Sequence, residues 1–119
     1  MEKILINGNG IALTEVIYKM DREEIVKLLR AHKNDIARFR VKKIGLFGSF
    51  GRDRGDESSD VDLIVEFERG YGTFKNFGGL IEYLEGVFGR SVDILTPTGI
   101  ESIRIEEIKK NIKQEVIYV

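Results

Sequence analysis

The stretch GLFGSFGRDRGDESSDVDLIVEF, Gly45–Phe67, sets a Gly48-Ser49 pair ahead of Asp60-Val61-Asp62, with ten residues between Ser49 and Asp60. Residues two apart on a strand project from one face, so Asp60 and Asp62 should point the same way. Carboxylates held side by side repel, and at low dielectric one takes up a proton unless a cation intervenes. Magnesium suits that place, because it prefers hard oxygen ligands and often takes one or two carboxylates plus substrate phosphates. A third carboxylate, Asp93, stands between Val92 and Ile94 in another apolar run. Three aspartates on neighbouring strands are what two-metal phosphoryl transfer requires. One ion serves the attacking oxygen and one the triphosphate, about 3.5–4 Å apart.

The Gly-Ser turn fits the same chemistry. Gly48 lets the backbone come close to a phosphate, and Ser49 adds a hydroxyl and an N–H at the start of a short helix, a ready anion site. Arg52, one turn on, is placed for a charge-assisted phosphate contact. The turn would grip a triphosphate while Asp60, Asp62 and Asp93 hold its metals. No GK[ST] follows the turn, and Gly45, Gly48 and Gly51 do not spell GxGxxG, so neither common phosphate loop applies.

These residues need a sheet to hold them. Val41–Phe47 and Asp60–Phe67 read as strands, and Ser91–Leu95 as a third, stopped by Pro97. Val61, Leu63, Val65 and Phe67 alternate with the aspartates and should pack under helices. A first helix should begin at Asp21, which has capping-box spacing to Glu24, and run with Ile25, Leu28, Leu29, Ile36 and Phe39 on its apolar stripe. A second is expected over about 74–88, with Gly78 and Gly79 weakening it by about 0.8–1 kcal/mol each. A last helix over 103–113 should turn Ile105, Ile108 and Ile112 inward, and EVIYV offers one more short strand. Near the N-terminus, NGNG between two apolar stretches predicts a hairpin. Alternating strands and helices make the class α/β or α+β, around a small mixed sheet.

A chain of 119 residues and 13.6 kDa forms one domain with a single core. Its net charge of -1 argues against a general nucleic-acid-binding surface, so no direct nucleic-acid partner is expected. No apolar run reaches the roughly 18 residues of a membrane span. The start MEKILING lacks the features of a secretory signal. With no cysteine, disulfides and thiolate metal sites are excluded, and a cytoplasmic location is expected.

Framed by strand, turn and strand, Gly48-Ser49 and Asp60-Val61-Asp62 resemble the GS-x10-DxD signature of the DNA polymerase beta-like nucleotidyltransferase superfamily. The chain is most similar to its minimal members, the MNT-domain antitoxins paired with HEPN-domain ribonuclease toxins, over about Met20 to Val119. The resemblance implies a palm-like mixed sheet with helices packed on one face. It further implies that Asp60, Asp62 and Asp93 bind magnesium, two ions in all, and that Gly48 and Ser49 contact nucleotide phosphates. The implied activity is transfer of AMP from ATP to a tyrosine of a partner HEPN-type toxin, which silences that toxin, in a hetero-oligomer with it or as a homo-oligomer. In this sequence Arg52 is followed by Asp53, and the Arg-Gly pair that the family carries after the turn falls at Arg54-Gly55. Residues 1–19 precede the family's usual start, which divides the chain into an N-terminal extension, 1–19, and a nucleotidyltransferase domain, 20–119.

Other readings compete. The strand-end carboxylates taken singly suit plain solvation, and only their combination with the turn favours a site. Occlusion of a toxin without catalysis is one alternative function, and adenylylation of a small molecule such as an aminoglycoside is another, though such enzymes usually carry a second domain. His32 continues an apolar stripe and reads as packing. Tyr71, Phe74 and Phe77 read as core or partner contacts before an adenine shelf. Lys109, Lys110 and Lys113 read as the wet face of the last helix.

Overall fold

The computed structural model describes residues 2–6, 12–16, 21–51 and 59–119. The stretches either side of NGNG pair antiparallel as β1 (Glu2–Ile6) and β2 (Ala12–Val16), in a two-stranded sheet of their own. The turn between them lies outside the described residues.

Asp21 caps α1 (Arg22–Ala31), its carboxylate accepting from the Glu24 N–H at 2.9 Å. The helix breaks at His32, and the apolar stripe resumes in α2 (Lys33–Ala37), so that Ile25, Leu29 and Ile36 are all buried. Four strands follow: β3 (Val41–Phe47), β4 (Val61–Phe67), β5 (Val92–Leu95) and the short β6 (Ile117–Tyr118). They lie in the order β5-β4-β3-β6, with β4 and β5 parallel and the other pairs antiparallel. A parallel pair needs a crossover, and α4 (Phe74–Phe88) supplies it. Thr73 caps that helix, and Gly89 ends it in the left-handed region at φ 66°. The expected weakness at Gly78 and Gly79 does not break it. A Cβ on Gly79 would stand 3.0 Å from the Phe39 ring, so this glycine makes room for a packed aromatic.

The alternation in β4 does what its pattern predicts. Val61, Leu63 and Val65 are fully buried, and with Leu46 of β3 they meet Leu29 of α1 and Leu80 and Leu84 of α4. Burial of each such side chain contributes about 1.5–3 kcal/mol. Phe67 packs at the margin of this core, against Phe77.

The mixed sheet with helices over one face is thus present, and the structure adds a smaller cluster on the other face. There Phe47, Ile64 and Ile100 are buried, with Ile103, Ile112 and Val116 against them. The helices responsible are α5 (Pro97–Glu101) and α6 (Glu106–Glu115). Pro97 does end β5, but it also opens α5: Thr96 is the cap, accepting from the Gly99 N–H at 3.1 Å, and proline suits the first helical turn. α5 closes at Glu101 and Ile105 is still extended (φ -88°, ψ 105°), so the last helix starts at Glu106 rather than at 103. Ile112 packs, whereas Ile105 and Ile108 are exposed, contrary to the expected inward stripe. No helix among the described residues is long and apolar enough to cross a membrane.

Candidate active site

Strand direction gathers the candidate residues. β4 and β5 are parallel and start at the same end of the sheet, and antiparallel β3 finishes there. The C-terminal end of β3, with Gly48 beyond it, therefore meets the beginnings of the two aspartate-bearing strands. In the ladder Phe47 pairs with Asp62, and Asp62 with Asp93. Neighbouring strands lie about 4.8 Å apart, so these two carboxylates rise side by side from adjacent backbones. Asp62 is half-buried and Asp93 exposed. Asp60 sits one residue ahead of β4, exposed, and is held by no ladder of its own.

Gly48 is a required glycine. Its φ is 69°, a region that L side chains rarely enter, and a Cβ there would overlap the Asp62 carboxylate. The turn thus lies directly against Asp62. Ser49 is the second residue of α3 (Gly48–Gly51), a four-residue helix too short for a large macrodipole, so any anion would be met by local N–H groups. Arg52 lies outside the described residues.

Among the described residues, no three acidic or imidazole side chains converge as a ready metal cage. For magnesium this is no mismatch, since that ion is commonly held by one or two carboxylates plus the phosphates of its substrate. Asp62 and Asp93 in register offer such a pair, and the room beside the pair is enforced by a glycine that tolerates no side chain. The donor set fits.

Near this end of the sheet lies a second feature, outside the elements expected from the sequence. A cleft of about 270 Å³ is lined by Ile64, Ile100, Glu101, Lys113, Val116 and Tyr118 among others. Gly45 lets two of its lining residues close on β3, because a Cβ there would come within 2.6 Å of Val116 Cγ1 and 2.9 Å of the Tyr118 ring. Glu101 binds both Lys113 and Lys109, the latter at 2.9 Å, and these hydrogen bonds hold its carboxyl at about 2, well below the usual range. Lys109 is therefore not on the wet face, as its side chain is only 17% exposed. The signal was present in Thr96-Pro97, a cap followed by a first-turn proline, which announces α5 and brings Glu101 to α6.

The remaining candidates take other roles. His32 Nδ1 lies 2.7 Å from the Tyr83 hydroxyl, which donates to Asp35 at 3.1 Å. Burial and then Asp35 push the Tyr83 phenol up. The His32 ring also meets the Tyr83 ring edge-on at 5.9 Å, so His32 belongs to a helix-packing contact, as expected. The three aromatics do not form a shelf. Tyr71 lies under the Arg40 guanidinium at 4.1 Å, Phe77 packs on Phe67, and Phe74 is 97% exposed.

Residues 23–119 match the model of the nucleotidyltransferase domain. A protein of Methanocaldococcus jannaschii described as a protein adenylyltransferase is 43% identical over 98 residues, covering 81% of this chain and 95% of its own. The protein adenylyltransferase MntA of Thermococcus cleftensis is 42% identical over 98 residues, covering 82% and 94%. Among solved structures, one described as a minimal nucleotidyltransferase superposes with a TM-score of 0.66 at 30% identity, over 84% of this chain and 97% of that one. A toxin–antitoxin structure with AMP-PNP shares the fold, with a TM-score of 0.53 at 20% identity over 82% of this chain and 70% of that one.

Proposed function

The chain belongs to the nucleotidyltransferase domain family, and from that membership we propose that it transfers AMP from ATP to a tyrosine hydroxyl of a partner HEPN-type toxin and so silences it. The observation that carries this reading is the in-register pair Asp62 and Asp93, set beside a glycine turn that lies on the Asp62 carboxylate. The names of the two curated relatives support AMP as the group transferred. The nucleotidyltransferase domain is proposed to occupy residues 20–119, with 1–19 as an extension.

Each residue has a task. Gly48 and Ser49 receive the β- and γ-phosphates through backbone N–H groups, with the Ser49 hydroxyl adding one contact. Asp60, Asp62 and Asp93 would hold magnesium, two ions on this proposal, whose positive charge would offset the triphosphate and the charge that develops during transfer. The phenolic oxygen of the acceptor, held in line, attacks the α-phosphorus. A new P–O bond forms, the bond to the α–β bridging oxygen breaks, and pyrophosphate leaves. Asp93 takes the phenolic proton. A tyrosine of pKa about 10 yields that proton more readily than an aliphatic hydroxyl does. The exposure of Asp93 and Asp60 suits an acceptor brought by another protein rather than one enclosed in a cavity.

Calorimetric titration with ATP tests the metal–nucleotide half of this proposal. Affinity is expected to rise about tenfold or more on adding magnesium, because carboxylate–phosphate repulsion opposes the metal-free complex. Asp60→Asn should lose most of that gain, and a chain starting at Met20 should keep it. Equal affinity with and without magnesium, together with a harmless Asp60→Asn, would refute the site.

A further inference from the structure

Arg90 stands in the turn between α4 and β5, three residues before Asp93 and on neither aspartate-bearing strand. Its Nη1 donates to the Ser59 carbonyl at 3.2 Å. Its guanidinium carbon lies 5.0 Å from the centre of the Phe50 ring, a fully buried side chain of α3. Its Nε is sealed from solvent. One side chain thus joins the backbone leading into Asp60 to the helix that carries the Gly-Ser turn.

The turn that bears Arg90 is itself firmly seated. Ser91 accepts from the Val61 N–H at 2.9 Å, which opens the parallel ladder. On the other side, the Glu85 carboxylate accepts from the Val92 N–H at 3.2 Å. The strut therefore rises from a fixed base. Its effect should be largest on Asp60. Asp62 is held by strands on both sides and Asp93 by one, whereas Asp60 lies outside the strand, with Ser59 before it.

We propose that Arg90 is a positioning residue, setting Asp60 against the Gly48-Ser49 turn so that a metal–triphosphate can engage both. The proposal rests on the reading of the site given above. Arginine is suited to this place because its planar fork can donate edge-on to a carbonyl while its face lies over a ring. Lysine keeps the charge but cannot do both at once. If only the field of a cation mattered, lysine would serve equally well.

The test uses full-length Arg90→Ala and Arg90→Lys. Magnesium-ATP affinity is measured by calorimetry, the half-saturating magnesium concentration by AMP transfer, and the thermal midpoint without nucleotide. In Arg90→Ala, magnesium-ATP affinity should fall and half-saturating magnesium should rise, each by about tenfold, the factor expected for one hydrogen bond from a charged group. Arg90→Lys should recover only part of this. Binding of ATP without magnesium should be unchanged in both. A purely structural role would lower the folded fraction, and so the signal amplitude, without moving half-saturation. If Arg90→Ala does not fold, Arg90→Lys decides alone. A magnesium-dependent wild type matched by Arg90→Lys in affinity and half-saturation would overturn this proposal only. A wild type indifferent to magnesium would overturn it together with the reading of the site.

Discussion

Asp62→Asn is expected to abolish AMP transfer, lowering kcat by about a thousandfold, while the protein melts within a few degrees of wild type. Asparagine has nearly the shape of aspartate, so the packing against Gly48 is kept. The charge is lost, and with it the proposed metal ligand between the glycine turn and Asp93. Ser49→Ala provides the contrast: it deletes a hydroxyl but leaves the backbone N–H, and a partial loss is expected. Steady-state rates and melting curves of the two variants check this. A fully active Asp62→Asn beside an inactive Ser49→Ala would reverse the roles assigned to strand and turn.

The second large effect belongs to Gly48→Ala. A left-handed φ costs an L residue about 1–2 kcal/mol, so the thermal midpoint should fall by several degrees. The larger consequence is local. The new Cβ would land on the Asp62 carboxylate, and either the turn or the aspartate must move. Magnesium-ATP affinity should drop by more than about tenfold, well beyond what the loss of stability explains, since the protein remains folded at the assay temperature. Calorimetry on the folded variant measures it, and wild-type affinity there would show that the turn does not contact the site.

Much of this was legible in the sequence, for physical reasons that differ by element. The cap at Asp21 and the bounds of α4 are written locally, in a carboxylate three residues from its partner amide and in Thr73 and Gly89 at the helix ends. The strand bearing Asp62 was legible because Val61, Leu63 and Val65 alternate with it. Ile64 breaks that alternation by standing on the aspartate face, and its burial depends on α5 and α6. No local pattern states that dependence. α5 is only five residues long and its first turn holds the proline that also ends β5, so one residue carries two signals. Arg90 was not legible at all: its partners, Phe50 and Ser59, are distant in sequence and meet it only in the fold. The closeness of Asp62 to Asp93 likewise follows from register, which a parallel crossover sets over a long separation.

The most direct test of the account is the mass of the acceptor. A HEPN-type toxin incubated with this protein and magnesium-ATP should gain whole AMP units on tyrosine, with pyrophosphate released in equal number, and Asp62→Asn should leave its mass unchanged. Intact-mass spectrometry of the toxin reads this in one experiment. A toxin that is inhibited by the protein while its mass stays that of the unmodified chain would contradict the transfer reaction and leave occlusion as the mode of action.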